Sequence, residues 1–204
     1  MKEEKINDVT TKMDNSLITY LQRFATIPLE DIPIILNCFS VMNYKPGTVL
    51  LPAGEHVTKL YFIEKGLLKL IIPRGDQEGP VFAFVEEGQL IGMLHLFSSS
   101  AQFPQELKTV TEAEIWSLDL DKFEELCSKL VYMKCAFIEA AKVSITGIII
   151  AKSTYTGLTA GRKYEKLVKI QRNIAYNAPL KDIASYLEIT PQSFSRIRKK
   201  FVYG

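Results

Sequence analysis

Histidine and cysteine are scarce in this chain, and that scarcity removes several chemistries at once. The 204 residues hold two histidines, His56 and His95, and three cysteines, Cys38, Cys127 and Cys135. The cysteines are odd in number, widely spaced and free of any CxxC pair, so neither a disulfide framework nor a metal site is expected. They read as reduced, small apolar residues of a cytosolic protein. No His/Glu ligand cluster, zinc spacing, glycine-rich phosphate loop or Ser/His/Asp order is present, so neither an enzyme nor a bound cofactor is expected. Long apolar runs are also missing. The most apolar stretch, 145–151, is far shorter than the roughly 20 residues a membrane span needs. The N-terminus carries both signs of charge (Met1-Lys2-Glu3-Glu4-Lys5) with no apolar core behind it, unlike a signal peptide. The expected setting is cytoplasmic, away from membranes.

What is present is an ordinary globular composition, 47% hydrophobic and 24% charged. The net charge of +2 is unevenly placed. Residues 162–204 hold ten Lys/Arg against three Asp/Glu, a net +7, and the preceding 161 residues carry −5. A basic tail behind an acidic body points to a polyanionic partner.

The apolar spacing divides the chain into three textures. Residues 14–40 read as helical, with Leu17, Tyr20, Leu21 and Phe24 at helical steps after a start signal at Asp14–Ser16. A second helix near Leu29 carries Ile32, Ile35, Leu36 and Phe39 inward. Residues 41–119 alternate short β-rich runs (49–51, 60–63, 67–72, 81–85, 109–110, 115–118) with glycine turns such as Gly54, Gly66, Gly75 and Gly88, the pattern of a β-sandwich or barrel. From Asp121 the period is helical again: Phe123, Leu126 and Leu130 mark a short helix, and 132–154 a long one. Ile138, Ala141, Ile145 and Ile148 sit there at alternating three- and four-residue steps, the spacing of a coiled-coil seam. Phe137, Val143, Ile149 and Ile150 make the same helix apolar on other faces, so both sides must be covered. One side suits the β domain and the other a second copy of the chain, which makes a homodimer the expected state. The small residues of 156–161 mark a boundary.

Past that boundary, Tyr164, Leu167, Val168 and Ile170 mark one helix, and Asn177-Ala178-Pro179 breaks it. A second helix, 180–188, turns Leu180, Ile183, Ala184 and Leu187 inward. Thr190 is the expected N-cap and Pro191 the first residue of the next helix. That helix buries Phe194 and Ile197 and presents Gln192, Ser193, Arg196, Lys199 and Lys200. Two short helices, the second amphipathic and basic, joined tightly across a small Ala184, form a helix-turn-helix. Gln and Arg side chains suit base edges in the major groove, and the lysines suit phosphates.

With these motifs the chain resembles the CRP/FNR superfamily of bacterial transcription regulators over roughly residues 15–202. Residues 183–200 are close to the family's helix-turn-helix signature, and Tyr44-Lys45-Pro46-Gly47, Gly54-Glu55 and 60–66 match its turn glycines. The resemblance implies an α+β fold: an N-terminal double-stranded, jelly-roll-like β-roll with flanking helices (1–130), a long dimerisation helix (131–156), and a C-terminal winged helix-turn-helix (157–204). It aligns Gln192, Ser193 and Arg196 with base-reading positions. It implies a dimer on palindromic double-stranded DNA, acting with RNA polymerase. The family's turn usually holds Gly where this chain has Glu188, and few residues remain after the recognition helix for the wing.

Relatives that bind cyclic AMP place a Glu and then an Arg in a phosphate cassette. Here Met93 stands for the Glu and Phe103 or its neighbours for the Arg, and no Arg occurs between Arg74 and Arg162. A buried phosphate needs a guanidinium or clustered amides, so cyclic AMP is not expected to bind in the usual way. A different small-molecule effector would meet Gly92, Met93, Leu94, Ser98, Ser99, Ser100 and Phe103. The cysteine cluster of iron–sulfur sensing is missing, and two isolated histidines do not suggest haem.

Overall fold

The computed structural model describes residues 15–75, 78–92, 102 and 104–203. Helix α1 (Ser16–Leu21) begins where Asn15 accepts the Ile18 N–H at 3.2 Å, a side-chain cap inside the expected start signal. Asp14 lies outside the described residues. A turn of 3-10 helix at Leu29–Asp31 leads into α2 (Ile32–Cys38), and Ile35, Leu36 and Phe39 are buried as expected.

The β-rich region forms two four-stranded antiparallel sheets. Its strands are β1 (Ser40–Tyr44), β2 (Val49–Leu51), β3 (Lys59–Lys65), β4 (Leu68–Ile71), β5 (Val81–Val85), β6 (Leu90–Ile91), β7 (Glu106–Thr109) and β8 (Ala113–Asp119). Sheet order is β1-β8-β3-β6 in the first and β2-β7-β4-β5 in the second. Two strands go beyond the sequence reading: β1 is mostly half-buried, so its alternation is weak, and β6 has only two residues. Strand β7 also starts earlier than the expected run at 109–110.

Side-chain alternation then builds layers. Tyr61, Ile63, Leu68, Leu70, Ala83, Val85 and Ile115 point between the sheets and form one core. Leu60, Phe62, Trp116 and Leu118 point out of the first sheet and meet α1, α2, α3 (Leu120–Lys129) and the first half of α4 (Val131–Ser153) in a second core. Phe123 and Phe137 meet edge-to-face at 5.1 Å within it. Gly66 turns β3 into β4 at φ +108, where a Cβ would fall 2.6 Å from the Glu112 carbonyl oxygen; only glycine fits.

A third core covers the outer face of the second sheet. Leu67, Val81 and Phe84 of the roll join Tyr155, Tyr164, Leu167, Ile174, Ile183, Ala184, Tyr186, Leu187 and Phe194. The C-terminal region is thus seated on the roll. It comprises α5 (Ala160–Ile170), α6 (Arg172–Asn177), α7 (Leu180–Tyr186) and α8 (Pro191–Tyr203). The separate α6 was not foreseen. The chain kinks at Gln171, whose side-chain oxygen accepts hydrogen bonds from the Tyr155 and Tyr186 hydroxyls at 2.5 and 3.3 Å. Leu180, expected inward, is 45% exposed at the start of α7, because the core engages that helix only from Asp182 onward. Helix α8 extends through Val202 and Tyr203, and no wing strand follows it among the described residues.

Candidate nucleic-acid interface and effector cavity

Helices α7 and α8 and their turn have the geometry of a helix-turn-helix. Leu187 caps α7, and the chain leaves it through Glu188 at φ +56, the one non-glycine residue of positive φ among the described residues. The Glu188 N–H donates to the Ser185 carbonyl at 3.0 Å and the Ile189 N–H to the Ala184 carbonyl at 3.0 Å, closing a Schellman motif. Glu188 thus takes a left-handed conformation at the position where the family's turn usually holds Gly. Ala184 is fully buried, which allows the close helix crossing.

Thr190 starts α8 as expected: its Oγ1 accepts the Ser193 N–H at 3.2 Å, and the Phe194 N–H donates to its carbonyl at 2.9 Å. Phe194 is buried edge-on against Tyr164 at 5.2 Å, and Ile197 is half-buried beside it. The opposite face carries exposed Gln192, Arg196, Lys199 and Lys200, with Ser193 half-buried. Ser195 and Arg198 are equally exposed and had not been singled out; the helical spacing of Phe194 and Ile197 already implied it. Among the described residues, Arg196, Arg198, Lys199 and Lys200 form no ion pair, whereas Lys152, Lys169 and Lys181 each have an acidic partner. Helix α8 thus keeps the charge of these four side chains unneutralised among the described residues.

A cavity of about 400 Å³ lies where β5, β6, α4 and α7 meet. Its wall is mostly apolar, including Phe84, Val85, Ile91, Ile145 and Ile148, with Gln89, Gln105, Ser144, Gln171 and Tyr186 as neutral polar groups. Glu86 is the one charged side chain among the described lining residues, and burial pushes its carboxyl above the usual range. Gly92, at φ +95, forms part of the wall. Met93, Leu94, Ser98, Ser99, Ser100 and Phe103 lie outside the described residues.

The expected dimer seam is divided. Ala141 is fully buried in the core under the first sheet, so it is unavailable to a second chain. Ile148 packs against the inter-sheet core, Ile145 borders the cavity, and Ile138 is half-buried. A seam on a helix that is apolar nearly all round fits either side equally well, and here the roll takes most of it. The outward apolar surface of α4 is carried by Val131, Val143, Ile145, Ile149 and Ile150, so Ile145 is the seam residue left exposed. Among the described residues no His/Cys/Asp/Glu cluster could hold a metal, and no helix is long and apolar enough to cross a membrane.

Comparison with known proteins places this geometry. Residues 41–129 match the family model of the cyclic nucleotide-binding domain. The chain is similar to the cAMP-activated global transcriptional regulator CRP of Salmonella typhimurium, at 21% identity over 134 residues, covering 65% of this chain. It spans 63% of that relative's length, less than two thirds. Among solved structures it is similar to the c-di-GMP responsive global regulator CLP of Xanthomonas campestris, with a TM-score of 0.66 and 16% identity over 86% of this chain and 92% of that one. FixK2 of Bradyrhizobium japonicum gives a TM-score of 0.66 at 14% identity, covering 80% and 84%. The family model, the curated relatives and the shared fold agree: the chain is similar to CRP-type regulators, and its fold is a cyclic nucleotide-binding-type β-roll carrying C-terminal helices.

Proposed function

We propose that the protein is a homodimeric, DNA-binding transcription regulator that works without cyclic AMP in the usual manner. One observation carries the DNA reading: α8 is capped at Thr190, anchored by Phe194, and presents Gln192, Arg196, Lys199 and Lys200 exposed, its cations free of acidic partners among the described residues. Such a helix fits the major groove, with Gln192, Ser193 and Arg196 at base edges and Thr190, Lys199 and Lys200 at phosphates. The exposed Val143, Ile149 and Ile150, with Ile138 and Ile145 beside them, supply a face for a second copy. Two copies would present two α8 helices to a palindromic operator, with RNA polymerase as the downstream partner and the cytoplasm as the setting. In this reading the roll (1–130) is the sensor, 131–156 the dimerising helix and 157–204 the DNA-binding unit.

The cavity chemistry supports the second half of the proposal. A cyclic phosphate brought into an apolar cleft needs a cation, and among the described lining residues the charged group is the Glu86 carboxyl. The relatives are named as cAMP-activated regulators, whereas the described lining of this cavity offers no cation for a phosphate. An effector of this cavity would be a neutral, largely apolar small molecule.

Selection from random DNA by the purified protein at two salt concentrations, without added ligand, tests the reading. The expected result is an enriched palindrome with half-sites about one helical turn apart, bound more weakly as salt rises. Failure to enrich any site, with tight small-molecule binding retained, would favour a sensor acting through protein partners. Micromolar cyclic AMP binding by calorimetry would overturn the effector half.

A further inference from the structure

A group of charges between the roll and the helix-turn-helix is used neither by the reading face nor by the cavity. Lys69 stands in β4 between Leu68 and Leu70, which point between the sheets, so its own side chain points outward onto α7. It is 4% exposed. Its Nζ donates to Asp182 Oδ2 at 2.9 Å and to Glu78 Oε1 at 2.8 Å. Asp182, also 4% exposed, sits in the first turn of α7. The other oxygen of Glu78 accepts from Lys181 Nζ at 2.8 Å, and Lys108 Nζ lies 3.6 Å from Oε1. Around this centre the Val81 N–H donates to Ser185 Oγ at 2.9 Å, and Phe84 meets Tyr186 edge-on at 5.2 Å. Lys152 lies over the Phe82 and Tyr186 rings and pairs with Glu188 in the turn at 3.2 Å.

A buried ammonium is costly unless its hydrogen bonds are made. Lys69 is satisfied only when α7 sits where Asp182 meets it. Apolar surfaces tolerate sliding, whereas a short, directional charged pair admits one seating, as buried polar groups do when they select one register. The exposed face of α8 stays exposed in this seating, so the contact orients the reading helix instead of masking it.

We propose that Lys69 and Asp182 are specificity-determining positioning residues. They lock α7 onto the roll and so set the separation and angle at which the two α8 helices of a dimer meet DNA, with Glu78 and Lys181 as an outer clasp. This rests on the DNA-binding reading. With the lock broken, the helices beyond Gly157 pivot on the turn between α4 and α5, and tolerance for half-site spacing widens.

The test uses the full chain, Asp182→Asn, and the apolar pair Lys69→Met with Asp182→Leu. Amide exchange is followed at 81–85 and 180–187, and binding is measured on palindromes whose half-site separation changes one base pair at a time around the selected optimum. Asp182→Asn is expected to speed exchange across α7 about tenfold and leave β3 and β8 unchanged. Its preference for the optimal spacing over neighbouring spacings should fall by about tenfold, an effect on the same scale as one mismatched base pair. The apolar pair should recover exchange protection without recovering the preference, which a merely structural role would not produce. Unchanged exchange in Asp182→Asn overturns the lock. A sharp spacing preference kept by both variants overturns the positioning role. Wild-type protein that prefers no palindrome overturns the DNA reading and this role with it, while the exchange data still judge the lock separately. If Asp182→Asn does not fold, the exposed Lys181→Gln gives the same readouts with about threefold effects.

Discussion

The two sheets of the roll have their outer faces covered in different ways. Over the first sheet, α1 to α4 lay down an apolar lid in which Leu17, Leu21, Phe123, Met133 and Phe137 are fully or almost fully buried against Leu60, Phe62 and Leu118. Over the second, α7 is seated through a buried Lys69–Asp182 pair with apolar residues around it. The first arrangement gains stability from area removed from water, an effect with no directional preference of its own. The second gains little net stability, since desolvation offsets most of the attraction between buried charges, but it accepts one geometry. A permanent wall and an oriented joint thus use different chemistry on the two faces of one sandwich.

Substitutions separate the two faces. Phe137→Ala in the apolar lid should lower the unfolding free energy by about 3–5 kcal/mol, read by denaturant titration. Asp182→Asn should lower it by about 2–3 kcal/mol, less than a fully orphaned buried charge because Glu78 still holds Lys69. Equal losses at the two sites would erase the contrast. Glu188→Gly, which relieves the left-handed turn residue, should raise stability by about 1 kcal/mol, since the exposed contact to Lys152 adds little.

The smallest effect is a pH dependence. Hydrogen bonds from Lys181 and Lys69 hold the Glu78 carboxyl down at about 2, against an ordinary 4.5. Its folded-state value lies below its unfolded one, so its contribution is complete above about pH 5 and is lost as pH falls from there toward 2. The stability gap between wild type and Glu78→Gln should therefore narrow between pH 5 and pH 3. A gap that stays constant would show that the carboxylate takes no part in holding the joint.

Much of this was legible in the sequence because it rests on short-range physics. Turn glycines between short β-rich runs, the Thr190–Pro191 helix start and the Phe194/Ile197 anchor are local signals, and the structure has each of them. The long helix is legible as apolar on several faces, but periodicity alone does not say which face the roll takes, so Ala141 reads as part of an outward seam and lies inside. The α5–α6 kink has no Gly or Pro signal; Gln171 adopts it because two distant tyrosines hydrogen-bond to its side chain. The lock was hidden for the same reason. Lys69 is a lone charge in an apolar run, and its partner Asp182 lies 113 residues away.

The most direct test of the central claim is equilibrium binding of wild type and Arg196→Ala to the selected palindrome and to unrelated DNA across a salt series. Log affinity is expected to fall linearly with log salt for both DNAs. Arg196→Ala is expected to lose about 1–3 kcal/mol on the palindrome, with relaxed preference at one base position, and far less on unrelated DNA. Equal binding of wild type and Arg196→Ala to both DNAs would contradict α8 as the reading helix.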